Sequence, residues 1–177
     1  MAWLKVGVFV LIAAMAVVFV LAMTKPDTFR VQRTVHIQAA HDKVFPHIND
    51  FHNWSAWSPY EKLDPAMERT FSGAPSGVGA VYAWNSAGKA GVGRMEITAP
   101  AVPSRIGIKL DFYKPFEAHN TAEFLLEPQG DATEVTWAMF GPAPFLSKVM
   151  QVFFNLDNMV GRDFEVGLAN LKAVSEK

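Results

Sequence analysis

The chain has 177 residues, half of them hydrophobic, and a formal net charge of −1 at pH 7. That length suits one domain with a real core plus an appendage, and the near-neutral charge, without a long run of Lys or Arg, argues against a nucleic-acid partner held through phosphates. Cysteine is absent, which rules out disulfides, thiolate zinc sites and cysteine nucleophiles.

The appendage is the N-terminus. From Val6 to Met23 the run VGVFVLIAAMAVVFVLAM carries no charge and nothing more polar than glycine. As a helix these eighteen residues would be ~27 Å long, about the thickness of a bilayer's hydrocarbon core. A signal peptide would have a shorter apolar region, ~7–15 residues, ending at a small-x-small site, and Ala22-Met23-Thr24 fits that poorly. Residues 1–25 are therefore read as an uncleaved single-pass membrane anchor, with cleavage as the open alternative, and residues 26–177 as the folded domain. A buried soluble helix fits less well, because the run is apolar all round. Orientation stays open. Lys25, Arg30 and Arg33 after the span lean slightly towards a cytoplasmic domain, whereas Lys5 fits a signal-anchor with the domain outside.

Pro26 and Asp27 break the anchor. FRVQRTVHIQA then alternates, with Phe29, Val31, Arg33, Val35 and Ile37 against Arg30, Gln32, Thr34, His36 and Gln38, which predicts a strand with one wet face. Asp42 is placed to cap a short helix carrying Val44, Phe45 and Ile48, with Pro46 in its first turn. HNWSAW reads as a second short helical turn, ended by Pro59. Trp54 and Trp57, three apart on that turn, either plug the end of a core or line the door of a cavity. After Pro65 the period becomes two, predicting strands at about 67–72, 78–85, 90–99, 104–113, 116–127 and 132–140. Their connectors carry turn residues: Gly73 to Gly77, NSAGK, APAVPS, YKP and PQGDA. Short links between consecutive strands make an antiparallel meander, with Ile106, Ile108, Leu110 and Phe112 on one face, as are Ala122, Phe124 and Leu126, and Val135, Trp137 and Met139. A long helix over about 144–175 closes the chain, its stripe running through Val149, Phe153, Leu156, Val160, Phe164, Leu168 and Leu171. Gly161 and Gly167 interrupt that stripe as kinks or close-packing points.

The order of elements resembles the helix-grip fold of the START/Bet v 1-like superfamily, and most nearly its bacterial SRPBCC branch, labelled polyketide cyclase/dehydrase-like. HIQAAHDKVFPHINDFHNWSAWSPYEKLDP, GVGAVYAWNS followed by GVGRMEI, GDATEVTWAMFG and MVGRDFEVGLANLK carry the resemblance, which covers residues 29 to 175. It implies an α+β fold: a curved seven-stranded antiparallel sheet, two short helices and a long C-terminal helix, here preceded by one transmembrane helix. Members of the superfamily bind lipids, sterols, polyketides or plant hormones, and some are cyclases or hydratases, so the resemblance chooses no chemistry. It also implies an apolar cavity between sheet and helix, with Trp54 and Trp57 near its entrance.

Signatures of catalysis are scarce. GVGAVYAWNSAGKAGVGR reads as a hairpin, not as a phosphate loop between strand and helix. The five histidines, at 36, 41, 47, 52 and 119, form no ligand pattern, so neither a metal nor another cofactor is expected. Alternation turns Asn120 inward, where its amide would orient a ligand carbonyl or hydroxyl or else satisfy backbone at the sheet's edge. Glu117, His119 and Thr121 point to solvent by the same count, unless a bulge flips the set and turns His119 and Glu117 inward as an acid–base pair. Arg94, Glu96 and Asp111 are expected in an outward ladder of mixed charge. The expected lining of the cavity is Trp54, Trp57, Trp84, Met95, Phe112, Asn120, Trp137, Met139, Phe153 and Phe164. The expected function is membrane-anchored binding of a hydrophobic or amphipathic, lipid-like molecule. A cyclase- or hydratase-type enzyme and a ligand-free scaffold that binds a partner protein are the alternatives.

Overall fold

The computed structural model describes residues 2–98 and 104–177, so the turn expected across APAVPS and the last residue of the strand expected over 90–99 fall at residues outside the described ones. A helix, α1 (Ala2–Met23), comes first. Its Lys5–Met23 stretch has a mean hydropathy of 3.0, is almost entirely uncovered by the rest of the chain, and is long and apolar enough to cross a membrane; a signal sequence passes the same test.

Strand β1 (Thr28–Ile37) alternates as its sequence does, with Val31 and Ile37 buried and Arg30, Gln32, Thr34 and His36 in solvent. In α2 (His41–Asn49), Ala40 takes the cap position without a side-chain bond. Asp42 lies inside the first turn instead of capping it, where its charge still complements the positive helix end. Pro46 falls in the second turn, not the first, so this short helix goes without one of its i→i−4 bonds. Two 3₁₀ turns follow, Phe51–Ala56 and Pro59–Lys62. Pro59 opens the second of these, because its fixed φ and missing N–H suit the first position of a helical turn.

Strands β2 (Glu68–Gly73), β3 (Ala80–Asn85), β4 (Val92–Ile97), β5 (Arg105–Lys114), β6 (Ala118–Gln129) and β7 (Ala132–Pro142) complete a curved seven-stranded antiparallel sheet ordered β1-β7-β6-β5-β4-β3-β2. Register sets the inner face: Met95 opposite Leu110, Ile97 opposite Ile108, Phe124 opposite Trp137, and Leu126 opposite Val135. All eight side chains are buried. A register shift between Val92 and Gly93 bends β4, and the Trp84 ring lies across Gly93, where a Cβ would fall 2.3 Å from the indole.

The C-terminal helix is two helices, α3 (Phe145–Phe153) and α4 (Leu156–Ser175), not one. Phe154 and Asn155 are extended, and the Asn155 side chain accepts from the Asn158 backbone N–H at 3.0 Å, starting a new helix. The apolar stripe stays in phase across the break but serves two partners. Phe164, Leu168 and Leu171 of α4 bury against the sheet. Phe145, Val149 and Phe153 of α3 instead line a groove with Ala14, Met15, Val18 and Phe19 of α1.

Gly161 and Gly167 act as close-packing points within an unbroken α4. Above Gly161 lies the Arg33 guanidinium, bonded to Asp157 and to Glu165 on either side of it. Gly167 faces Trp137 and Pro59.

Candidate ligand cavity

Helix α4 covers one part of the concave sheet and leaves a cavity of about 230 Å³ between them. Its sheet wall is built by Tyr82 and Trp84 of β3, Met95 of β4, Leu110 and Phe112 of β5, Ala122 of β6, and Trp137 and Met139 of β7. Each is the inner residue of its strand's alternation, so the wall follows from period two and register. The helix contributes Val160, Asp163 and Phe164; the segment between α2 and β2 contributes Trp54, Ser58, Tyr60, Glu61, Leu63 and Met67.

Seven of the ten expected lining residues come together here: Trp54, Trp84, Met95, Phe112, Trp137, Met139 and Phe164. Trp137 is the hub, stacked on Phe164 at 4.0 Å between ring centres and on Phe124 at 5.1 Å. Three do not lie on the wall. Trp57 is fully buried behind Trp54, packed edge-on to Trp137 and Phe124. Asn120 does face inward, opposite Leu110, but its amide oxygen rests against Gly141, where a Cβ would fall 2.3 Å from it. Phe153 is 64% exposed, because the helix break carries it away from the sheet and towards α1.

The two tryptophans of the first 3₁₀ turn are both buried, at 3% and 0% exposure, so neither ring stands at an open door. The Trp54 indole N–H donates to the Ile48 carbonyl at 3.0 Å and that of Trp57 to the His47 carbonyl at 2.9 Å. Those carbonyls belong to the last turn of α2, which has no intrahelical donors left for them. The pair thus closes the end of α2 and the end of the core together; Trp57 is a plug, and Trp54 is a plug whose outer edge forms cavity wall.

The lining includes a few polar groups. Tyr60 and the Asp163 carboxyl, both in the lining, lie near enough to influence one another. Burial pushes Asp163 above the usual carboxylate range, against the lowering effect of Tyr60, and burial with the nearby Asp163 charge raises Tyr60 as well. Glu61 accepts from the Tyr82 hydroxyl at 2.6 Å and from Arg69 at 2.7 Å. Two further polar atoms in the wall, Ser58 Oγ and Trp137 Nε1, are buried with no partner among the described residues. Sequence reasoning missed Tyr60, Glu61, Tyr82 and Asp163. Tyr82 was within reach, since it is two residues before Trp84 on the same strand face, and Asp163 shares a helix face with Val160, three residues back. Glu61 and Arg69 are joined only by the turn through Pro65, which no periodicity reveals.

The outer face holds the other titratable cluster. His119 and Glu117 stay outside, with no bulge in the β5–β6 register. His119 Nδ1 bonds Asp111 at 2.7 Å and Lys109 reaches the same carboxylate at 2.9 Å. Asp111 is on the expected face but is buried, not solvated, because these two longer side chains fold over it. Arg94 pairs with Glu96 beside it at 2.7 Å. Among the described residues no group of three His, Asp or Glu has the geometry of a metal site.

Solved structures share the architecture. A protein from Thermobifida fusca superposes with a TM-score of 0.61 at 19% identity, covering 82% of this chain and 92% of its own. Protein CV1439 from Chromobacterium violaceum gives 0.58 at 14% identity over 86% and 99%. Ginseng major latex-like protein 151 from Panax ginseng gives 0.59 at 13% identity over 84% and 97%. At such identities the likeness is one of fold. No curated protein matches the chain. The family described as polyketide cyclase / dehydrase and lipid transport matches residues 28–176, nearly everything after α1, and the chain belongs to that family.

Proposed function

We propose that the chain holds an amphipathic small molecule in this cavity while α1 anchors it, as a single-pass protein, in a membrane. One observation carries the reading: an overwhelmingly apolar chamber walled by Trp, Phe, Met and Leu side chains, with Ser58, Tyr60, Glu61 and Asp163 as the few polar members of its lining. Hydrocarbon burial there contributes ~25 cal/mol per Å² before ordering costs. The lipid-transport description of the family and the apolar α1 support the same reading. Mass spectrometry of small molecules that co-purify with the detergent-solubilised full chain tests it. A reproducible amphipathic compound, lost when Ala122→Leu and Leu110→Phe fill the cavity, is the expected result. A cavity that carries nothing and takes up no fluorescent fatty-acid probe would overturn it.

A second reading, an enzyme of cyclase or hydratase type, draws on Asp163. A carboxyl held above its usual range beside a tyrosine in an apolar wall is suited to proton transfer. Asp163→Asn separates the two: retained binding with no change in the bound compound leaves the carrier reading, and accumulation of an unprocessed precursor favours the enzyme.

A further inference from the structure

Helix α3 meets α1 along one edge, and its apolar side chains remain largely exposed among the described residues. Phe145, Leu146, Met150 and Phe153 are between 46% and 64% exposed, and Phe154 and Met159 extend the patch to the first turn of α4 at 53% and 58%. Six large apolar side chains this exposed in α3 and the start of α4 are more than a soluble surface normally leaves to water. The location of α3 says what covers them. It packs on α1 through Ala14, Met15, Val18 and Phe19, with Phe19 and Phe145 rings 5.2 Å apart. Those α1 residues lie four to nine positions before Met23, the helix end, which is about 6 to 14 Å along the axis. Half the hydrocarbon thickness is about 15 Å. If α1 spans, this contact sits within the hydrocarbon of one leaflet.

The polar edge of α3 agrees with that depth. Its single charged residue, Lys148, reaches out to pair with Asp27, four residues beyond the end of α1 and so on the water side. Lys148 therefore marks the headgroup level, with its stem running along apolar surface. A helix with one charged edge at the headgroups and a broad apolar edge below them has the form of an interfacial helix, buried ~5–10 Å into the boundary.

We infer that α3 lies in the leaflet beside α1 as a second, interfacial membrane element, with acyl chains as the occupant of the exposed face. The inference rests on the proposed spanning role of α1. Only Phe154 and Asn155 separate this seat from α4, whose Val160 and Asp163 wall the cavity. The bilayer would thus hold the helical wall of the cavity at the leaflet surface, where an amphipathic ligand resides.

The cysteine-free sequence permits single nitroxide labels in the full chain, reconstituted in vesicles of phosphatidylcholine and phosphatidylglycerol. Labels at Leu146→Cys and Phe153→Cys are compared with Ile12→Cys on α1 and Glu127→Cys at the sheet, using collision with oxygen and with a water-soluble nickel chelate. Near-UV circular dichroism of the buried tryptophans checks that each variant is folded. The expected result is that Leu146 and Phe153 behave like Ile12, accessible to oxygen and shielded from nickel, while Glu127 shows the reverse. Water-like behaviour at Leu146 and Phe153 with Ile12 in lipid would overturn the inference and leave the anchor intact. Shielding of both sites from both reagents would also overturn it, by revealing a second copy of the chain on the patch. Water-like behaviour at Ile12 as well would overturn the anchor first, and the interfacial helix with it.

Discussion

Gly161 and Gly167 look alike in the sequence and are set against different neighbours. A Cβ at Gly161 would meet the end of the Arg33 side chain, which is flexible; at Gly167 it would meet the Trp137 ring at 2.7 Å and Pro59 at 3.0 Å, which are not. Gly161→Ala is therefore expected to be nearly neutral, since the gain in helix propensity of ~1 kcal/mol offsets a displaced ion pair. Gly167→Ala should cost ~1–3 kcal/mol through overpacking. Chemical denaturation of both variants checks the contrast. At the same scale, His119 carries a pH signature. Its bond to Asp111 first, and the nearby Glu117, raise it above the ordinary 6.5. Burial pushes Asp111 up, but its bonds with His119 and Lys109 outweigh that and hold it below the ordinary 3.8. A raised histidine stabilises the fold fully below 6.5, and the contribution is lost as pH rises through its higher folded value; a lowered aspartate does so above 3.8, and loses it as pH falls through its lower folded value. The pair is thus at full strength between those limits. An NMR titration of the His119 ring should give a midpoint above 6.5, moving down in Asp111→Asn.

Among the elements, the break between α3 and α4 alters which truncations matter. Leu156 is the first residue of α4 and only partly buried, so it is not a mid-helix anchor. Leu168, buried at 2% exposure between helix and sheet, takes that place. Leu168→Ala should cost ~2–5 kcal/mol and Leu156→Ala clearly less. The cap has its own effect: Asn155→Ala removes the bond to the Asn158 N–H and should cost ~0.5–2 kcal/mol. Equal losses for Leu156 and Leu168 in a denaturant titration would mean that one continuous helix seam carries the core after all. The break was legible only in part. Asn155 followed by Asp157 is a helix-start signal, but the apolar stripe passes through Phe153, Leu156 and Val160 in phase, and periodicity does not report which surface each turn of a stripe will meet.

For the molecule as a whole, α3 meets α1 along one edge, and this changes what removal of α1 should do. The strand at Thr28 begins after Pro26 and the core lies wholly beyond it, so residues 26–177 are expected to fold with a cooperative transition. They should nevertheless self-associate in the absence of detergent, because the loss of α1 leaves Phe145, Val149 and Phe153 without their one apolar neighbour, beside Leu146 and Met150, which are already exposed. Analytical ultracentrifugation checks this, and Leu146→Ser with Phe153→Ser should restore the monomer. The full chain should remain in the membrane pellet after a carbonate wash; a freely soluble product lacking residues up to Met23 would mean that α1 is a signal sequence.

Local pattern alone decided a good deal here. Alternation assigned the inner faces of β4, β5, β6 and β7, and with them Met95, Phe112, Trp137 and Met139 of the cavity wall, because a side chain's face depends only on its parity along the strand. A charge-free run of helix-spanning length, likewise, marks α1 without reference to anything else in the chain. What the tertiary structure decided are relations between segments far apart in sequence. The carbonyls that Trp54 and Trp57 satisfy belong to α2, and this contact buries rings that the sequence left open as either a plug or a door. Tyr60 meets Asp163 from the far end of the chain, and Phe153 turns to α1 because Asn155 restarts the helix. Parity and hydropathy are properties of neighbours along the chain, whereas partners are chosen by packing, which only the folded molecule contains.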